Sequence, residues 1–300
     1  MQPNGRTIAA SDGTTILDAA MDAGEPFAHA CGGQGRCSTC RVLITDGLDK
    51  CSPRTTAESS IGETLGFSPE LRLACQTAVS GEVGARRLVL DDHDIELTSL
   101  VIQGASAGKI GVEKHIAILF TDVRDFTALS ESLLPYDVIH LLNRYFRLMD
   151  DVVSRHGGRI DNIMGDGFLA LFEGDAPAAA ARSATTAGLE MLEVVDRELR
   201  PYLEDLFGVG FEIGVGVHYG LVVAGTVGGK GTRRSTVIGD AVNFASRVEA
   251  SNKAAGTRLL ISEDVYNLIE EGLTIGKVET MAIRGKAGTH RLYEVLGPRR

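Results

Sequence analysis

The sequence predicts an α+β protein of two domains, and three observations carry that expectation. All five cysteines fall within the first 75 residues, three of them on one glycine-rich segment, HACGGQGRCSTC. A stretch from 91 to 114 opens with the acidic cluster DDHD and then passes through Gly104, Gly108 and Gly111, which reads as a boundary. Beyond it, short apolar runs alternate with long segments of helical periodicity. The expected division is 1–99, a linker at 100–111, and 112–300. With 300 residues and 44% apolar composition, each part is long enough to bury a core. A net charge of −10 excludes a general nucleic-acid surface. No apolar run approaches the roughly 20 residues of a membrane span, and the N-terminus lacks a basic flank followed by an apolar block. The expectation is a cytoplasmic protein without membrane insertion.

In the first part a short strand is expected around Thr7–Ala10. Asp12-Gly13 then makes a turn, and Thr14 or Thr15 caps a helix whose apolar face is Ile16, Leu17, Ala20 and Ala23. The cysteines follow as C-x5-C-x2-C (Cys31, Cys37, Cys40), with Cys75 standing alone 34 residues further on, in RLACQT. Three thiolates on a glycine-rich loop can wrap a small inorganic cluster, because glycines let amide N–H groups approach sulfur, and the fourth thiolate closes the cage. The competing arrangement is a Cys₄ zinc site, but those are generally built from two C-x₂₋₄-C pairs. Cys51 matches no ligand position and reads as a free thiol. The segment resembles the [2Fe-2S] ferredoxins of β-grasp fold over about residues 6–90. That resemblance implies Cys31, Cys37, Cys40 and Cys75 as cluster ligands and an electron donor as partner. Such domains usually begin with a strand hairpin, of which only the second strand is expected here.

In the second part the apolar strand His115–Phe120 runs into Thr121 and Asp122. Leu133-Leu134-Pro135 starts a helix on which Val138, Leu141, Leu142, Tyr145, Met149, Val152 and Val153 recur at helical spacing. RIDNIMGDGFLALF then reads as a hairpin whose turn carries Asp166 between two glycines. Asp122 and Asp166, at the ends of neighbouring buried strands, could share hard divalent cations, because Mg²⁺ is usually held by one or two carboxylates plus substrate phosphates. Taken singly, Asp166 is an ordinary turn residue and Asp122 a helix cap. An alanine-rich helix is expected from about Pro177 to Leu206, then the strands FEIGVGVHYG and LVVAGTVGG. His218 reads as a core-edge histidine, and Lys230, Arg233 and Arg234 as a solvated basic turn. A helix starting near Gly239-Asp240 puts Asn243 and Arg247 on one face, an amide and a guanidinium able to reach ribose and phosphate oxygens.

FTDVRDFT, GGRIDNIMGDGFLALF and TVIGDAVNFASRVE together resemble the class III nucleotidyl cyclases over about residues 112–298. The resemblance implies a ferredoxin-like α/β sandwich and a homodimer with two interfacial sites that close ATP or GTP to a 3′,5′-cyclic monophosphate. It also implies that Asp122 and Asp166 hold two Mg²⁺ or Mn²⁺ ions and that the backbone at Phe126-Thr127 receives phosphate. Asn243 and Arg247 of the other subunit would serve the transition state, and Lys286 would bind phosphate. The base-reading positions are Asn162, where adenylate cyclases usually carry lysine, and Thr236, which fits the bacterial adenylate-type pattern. An asparagine amide can satisfy adenine or, flipped, guanine, so adenine leads and guanylate cyclase stays open. A different class of function is a redox protein whose cyclase-like half is only a dimerisation scaffold. The occupied metal and transition-state positions favour the enzyme.

Overall fold

The computed structural model describes residues 6–25, 27–88, 111–227, 234–282 and 288–299. They fall into two compact units, one ending at Val112, the other running from Glu113 to Val227 and from Arg234 onward. The expected linker at 100–111 lies outside the described residues except for Gly111.

In the first unit, helix α1 (Ile16–Asp22) starts where the Thr15 hydroxyl accepts from the Asp18 amide at 3.1 Å. Its Ile16, Leu17 and Ala20 are buried as the sequence predicts. Strand β1 (Arg41–Asp46), helix α2 (Thr56–Leu65), strand β2 (Leu71–Leu73) and strand β3 (Gly84–Arg87) follow. The sheet has the order β2-β1-β3, antiparallel throughout. The expected strand at Thr7–Ala10 is not formed. β3 already pairs with β1, and the segment stands off across a groove lined by Ile8, Ala10, Val83 and Ala85 without joining a ladder. Cys75 lies in the turn after β2. A buried ion pair ties that turn down. Glu58 of α2, fully buried, accepts from Arg72 Nε and Nη2 at 2.9 Å each and from the Leu73 amide at 2.7 Å.

The second unit contains strand β4 (Gly111–Val123), helix α3 (Phe126–Ser132), helix α4 (Pro135–Arg155), and the hairpin of β5 (Gly158–Met164) and β6 (Gly167–Phe172). Helix α5 (Pro177–Val194) passes through a π turn at Val195–Leu199 into α6 (Arg200–Phe207). Pro201, which lacks the N–H an α ladder needs, explains why one long helix is interrupted there. The chain continues as β7 (Ile213–Val227), β8 (Arg234–Ile238), α7 (Asp240–Ala255), β9 (Leu259–Ser262), α8 (Glu263–Ile269), β10 (Leu273–Ala282) and β11 (Thr289–Pro298).

Among the described residues eight strands form one sheet, in the order β10-β11-β9-β7-β4-β6-β5 with β8 on β7. The central strands are covered on both faces, which is why HIAILF and GFLALF read as unbroken apolar runs. Ala117, Leu119, Phe168, Ala170 and Phe172 pack with Leu141, Tyr145 and Met149 of α4 and Ala184 and Met191 of α5. The alternate residues Ile116, Ile118, Leu169 and Leu171 pack with Val222, Val237, Ala241 and Ala245. This parity fixes the site. Thr121 falls on the α4 side, bonded to the Tyr145 hydroxyl at 3.1 Å, so Asp122 emerges on the face covered by α7.

Candidate active site

Asp122 leaves the sheet at the end of β4, and Asp166 stands in the β5–β6 turn beside it. The β4–β6 register, which pairs Thr121 with Phe168, brings the two together. Only glycine permits the approach at 167, since a Cβ there would lie 2.4 Å from the Thr121 carbonyl oxygen and 2.9 Å from Asp122 Oδ1. Asp122 remains open to solvent on one side. Desolvation at its base, and then the facing Asp166 carboxylate, still push it above the usual carboxylate range. Two like charges held together by the backbone fit a divalent cation. Among the described residues no set of three or more acidic, histidine or cysteine side chains converges on them, leaving further ligand positions to phosphate and water.

Two residues behind this pair were not anticipated from sequence. Arg124 Nη1 lies 3.9 Å from Glu249 Oε1, and both Arg124 Nη2 and Glu249 Oε1 are buried without a hydrogen-bond partner. The Glu249 carboxyl is pushed up to about 7 by desolvation, against the pull of Arg124 and with the Asp122 and Asp166 charges reinforcing it. It sits on α7, which presses so closely on β7 that a Cβ at Gly216 would fall 2.2 Å from the Glu249 nitrogen. Arg124 follows the metal-type aspartate by two positions, and Glu249 follows Arg247 by two. The pair therefore links the strand end to the helix.

Asn243 is exposed on the first turns of α7, and Arg247 is half-buried one turn further. Among the described residues no hydrogen bond or ion pair joins either of them to Asp122 or Asp166. Phe126 and Thr127 open α3, where the first amides have no intrahelical acceptor. Asp125 before them is, among the described residues, the one non-glycine at positive φ, +50°, and its carboxylate accepts from Lys253 at 2.9 Å. Lys286, Lys230 and Arg233 lie outside the described residues. His218 is buried at the core edge, its Nδ1 2.8 Å from Ser262 Oγ.

The two positions that the resemblance assigns to base reading are neighbours in space. Asn162 on β5 and Thr236 on β8 meet through two residues that the motifs do not single out. Arg234 Nη1 donates to Asn162 Oδ1 at 3.3 Å, and Thr236 Oγ1 donates to Asp161 Oδ2 at 2.9 Å. Asp161 and Asn162 both reach β8 because the β5–β6 ladder skips a residue, Ile160 pairing with Ala170 and Asn162 with Leu169.

In the first unit the four thiols lie as two pairs. Cys40 donates to Cys75 across 3.4 Å, which pushes Cys40 up and brings Cys75 down to about 6. Around Cys31, desolvation is outweighed by the amides of Arg36 and Gln34 and by the Cys37 thiol, so that its thiol lies below the usual range. Amide donors also reach Cys75, from the Gly35 backbone and from Gln76 Nε2 at 3.6 Å. Thiols surrounded by N–H donors are the donor set an iron–sulfur cluster takes. Cys51 stands apart, half-buried, its thiol directed at the Gly47 carbonyl oxygen.

This arrangement agrees with what the chain is similar to. The adenylate and guanylate cyclase catalytic domain matches residues 109–297, and the chain belongs to that family. The 2Fe-2S iron-sulfur cluster binding domain matches residues 1–80, so a domain of ferredoxin type is fused ahead of the cyclase domain. An adenylate cyclase of Anabaena cylindrica is 34% identical over 185 residues, 61% of this chain and 37% of that protein. Adenylate cyclase 1 of Rhizobium meliloti is 34% identical over 196 residues, 65% of this chain and 29% of that protein. The chain thus spans little more than a third, or less, of these relatives' length. Among solved structures, the adenylyl cyclase CyaB of P. aeruginosa superimposes with a TM-score of 0.58 at 28% identity, over 63% of this chain and 97% of that one. The guanylyl cyclase Cya2 does so with the same TM-score at 32% identity, over 63% and 95%. No described helix is long and apolar enough to cross a membrane.

Proposed function

We propose that this chain is a cytoplasmic adenylate cyclase, closing ATP to 3′,5′-cyclic AMP with release of pyrophosphate at sites shared by two copies of the chain. The observation that carries the reading is the convergence of Asp122 and Asp166 at adjoining strand ends, through an approach that only glycine at 167 allows. Two bound Mg²⁺ or Mn²⁺ ions would supply charge to the phosphates and to the attacking oxygen. The ribose 3′-oxygen bonds to the α-phosphorus as the bond to the bridging α–β oxygen breaks; the hydroxyl proton leaves, and pyrophosphate carries off the electron pair. Asp122 and Asp166 hold the phosphate end, the amides of Phe126 and Thr127 receive phosphate oxygens, and Lys286 is assigned a phosphate contact. Asn243 and Arg247 come from the second copy, Asn243 orienting the ribose and Arg247 offsetting charge that grows in the transition state. The exposed apolar side chains Ile163, Met164, Leu221, Val223 and Ile238, on β5, β7 and β8, support burial of this face in a homodimer.

The division into 1–99, a linker at 100–111 and 112–300 is part of the proposal. So is a regulatory role for the first domain. A [2Fe-2S] cluster on Cys31, Cys37, Cys40 and Cys75 would supply one-electron redox chemistry, fed by a cellular electron donor, and its charge state would bias the activity. The test is purified protein with ATP or GTP and Mg²⁺ or Mn²⁺, assayed for cyclic nucleotide and pyrophosphate. Cyclic AMP formed at the higher kcat/KM is expected. No cyclic nucleotide and no pyrophosphate, with the cluster oxidised or reduced, overturns the reading.

A further inference from the structure

Asn162 and Thr236 are each ambiguous alone. An amide can turn either end toward a base, and a hydroxyl can donate or accept. What surrounds them removes both ambiguities. Asp161 is held in the β5 bulge with its side chain only 1% exposed, its Oδ1 taken by Arg159. A carboxylate only accepts, so the hydroxyl facing its Oδ2 at 2.9 Å is the Thr236 donor. With that proton committed, Thr236 offers lone pairs alone to anything else. Arg234 has only donors, so the Asn162 atom 3.3 Å from its Nη1 is the oxygen, and the amide's free end is the Nδ2 donor. Arg234 and Thr236 lie two apart on β8 and share its face, which lets one strand fix both partners.

We infer that Asp161 and Arg234 are specificity-positioning residues that fix a hydrogen-bond acceptor at Thr236 and a donor at Asn162, a pattern complementary to adenine and opposed to guanine. The inference rests on the cyclase reading above and deepens it. Adenine presents an amine donor at N6 and an acceptor at N1, matching Thr236 and Asn162 in turn. Guanine presents an acceptor at O6 and a donor at N1, so each contact would set like against like. The site therefore selects by leaving guanine's polar edge unsatisfied, the kind of mismatch that hydrogen-bonding pockets exploit most strongly.

The experiment measures kcat/KM for ATP and for GTP on the full chain, with Asp161→Asn and Arg234→Ala beside the parent protein. In Asp161→Asn the single amide oxygen goes to Arg159, Thr236 then faces an N–H, and its own proton is released for guanine O6. The ATP-to-GTP ratio is expected to fall roughly tenfold, and roughly threefold in the more exposed Arg234→Ala. Equal losses for both nucleotides, or an unchanged ratio, overturn the inference. Should a variant fail to fold, the parent enzyme decides alone with the triphosphate of purine riboside, which lacks the N6 amine. Turnover roughly tenfold poorer than ATP is expected, and turnover equal to ATP overturns the inference. Absence of any cyclic nucleotide from ATP or GTP in the parent protein overturns the underlying cyclase reading instead, a result the ratio cannot mimic.

Discussion

Glu249→Gln should make the cyclase unit more stable at alkaline pH while weakening its activity. The carboxyl is 7% exposed, its Oε1 has no hydrogen bond, and Arg124 stands 3.9 Å away, too far to offset the loss of water. The sign follows from the raised value. An unfolded glutamate gives up its proton near 4.5, whereas the folded one keeps it to about 7. In that window the folded state binds more protons, so the stability this group contributes is complete below about 4.5 and is lost as pH rises through about 7. Holding the proton from near 4.5 up to about 7 is worth about 3 kcal/mol as a ceiling, and relaxation around a partly exposed Arg124 leaves about 1 to 3 kcal/mol. Glutamine carries no titrating proton and keeps the shape. The assay is urea unfolding of the full chain in chelator, at pH 5 and pH 8, followed by tyrosine emission. The protein has six tyrosines and no tryptophan, and every tyrosine lies beyond residue 135, so the signal reports the second unit. The stability of the variant relative to the parent should rise by about 1 to 3 kcal/mol between the two pH values. A difference that stays flat would refute the reasoning. Turnover at pH 8, where the parent's carboxylate is ionised, should fall several-fold, since a neutral amide there no longer balances the guanidinium next to Asp122, whereas at pH 6 the two proteins should differ little.

Asp122→Ala or Asp166→Ala should reduce turnover at least a thousandfold without changing the unfolding free energy by more than about 0.5 kcal/mol, and mixing Asp166→Ala with Arg247→Ala should restore one working site per mixed dimer. Wild-type rates in either alanine variant, or mixed dimers that stay inactive, would contradict the site. Asn162→Lys should raise the ATP preference roughly threefold and make it insensitive to Arg234→Ala, because lysine donates in any orientation. Glu58→Ala should cost the first unit about 3 to 5 kcal/mol, by leaving Arg72 buried and unpaired beside the Cys75 turn, read as early loss of visible cluster absorbance on heating. Finally, initial rates measured air-oxidised and then dithionite-reduced should differ several-fold, and equal rates with an intact, reducible cluster would leave the first domain a structural role.

How much of this was legible in the sequence depended on whether a regular period carried it. The apolar runs of β4 and β6, the amphipathic stripe of α4 with Leu141, Tyr145 and Met149, and the Thr15 cap of α1 follow from side-chain spacing and local hydrogen bonding, and they formed as expected. The first strand at Thr7–Ala10 did not, because a strand needs a partner and spacing says nothing about whether the neighbouring edge is within reach. The same limit governs the Arg124–Glu249 pair, whose members are 125 residues apart in the chain and meet only because glycines on β7 let α7 come so close.

The side chains around Asn162 show where period-2 reading breaks down. In a regular strand Asp161 and Asn162 would point to opposite faces, and only one of them could reach β8. One unpaired residue in the ladder turns both toward it, so that a carboxylate and an amide meet a hydroxyl and a guanidinium two positions apart. Sequence alone could name Asn162 and Thr236 as a base-reading pair but had to leave the amide's orientation open, since nothing in the residue types decides it. The neighbours decide it. Arginine cannot accept and a carboxylate cannot donate, so the direction of each hydrogen bond is set by chemistry once the bulge has set the geometry. On the inference drawn above, base preference in this chain is held by Asp161 and Arg234, behind the residues proposed to touch the base. Replacing the family's lysine with asparagine need not surrender adenine, provided an arginine on the next strand keeps the amide from turning.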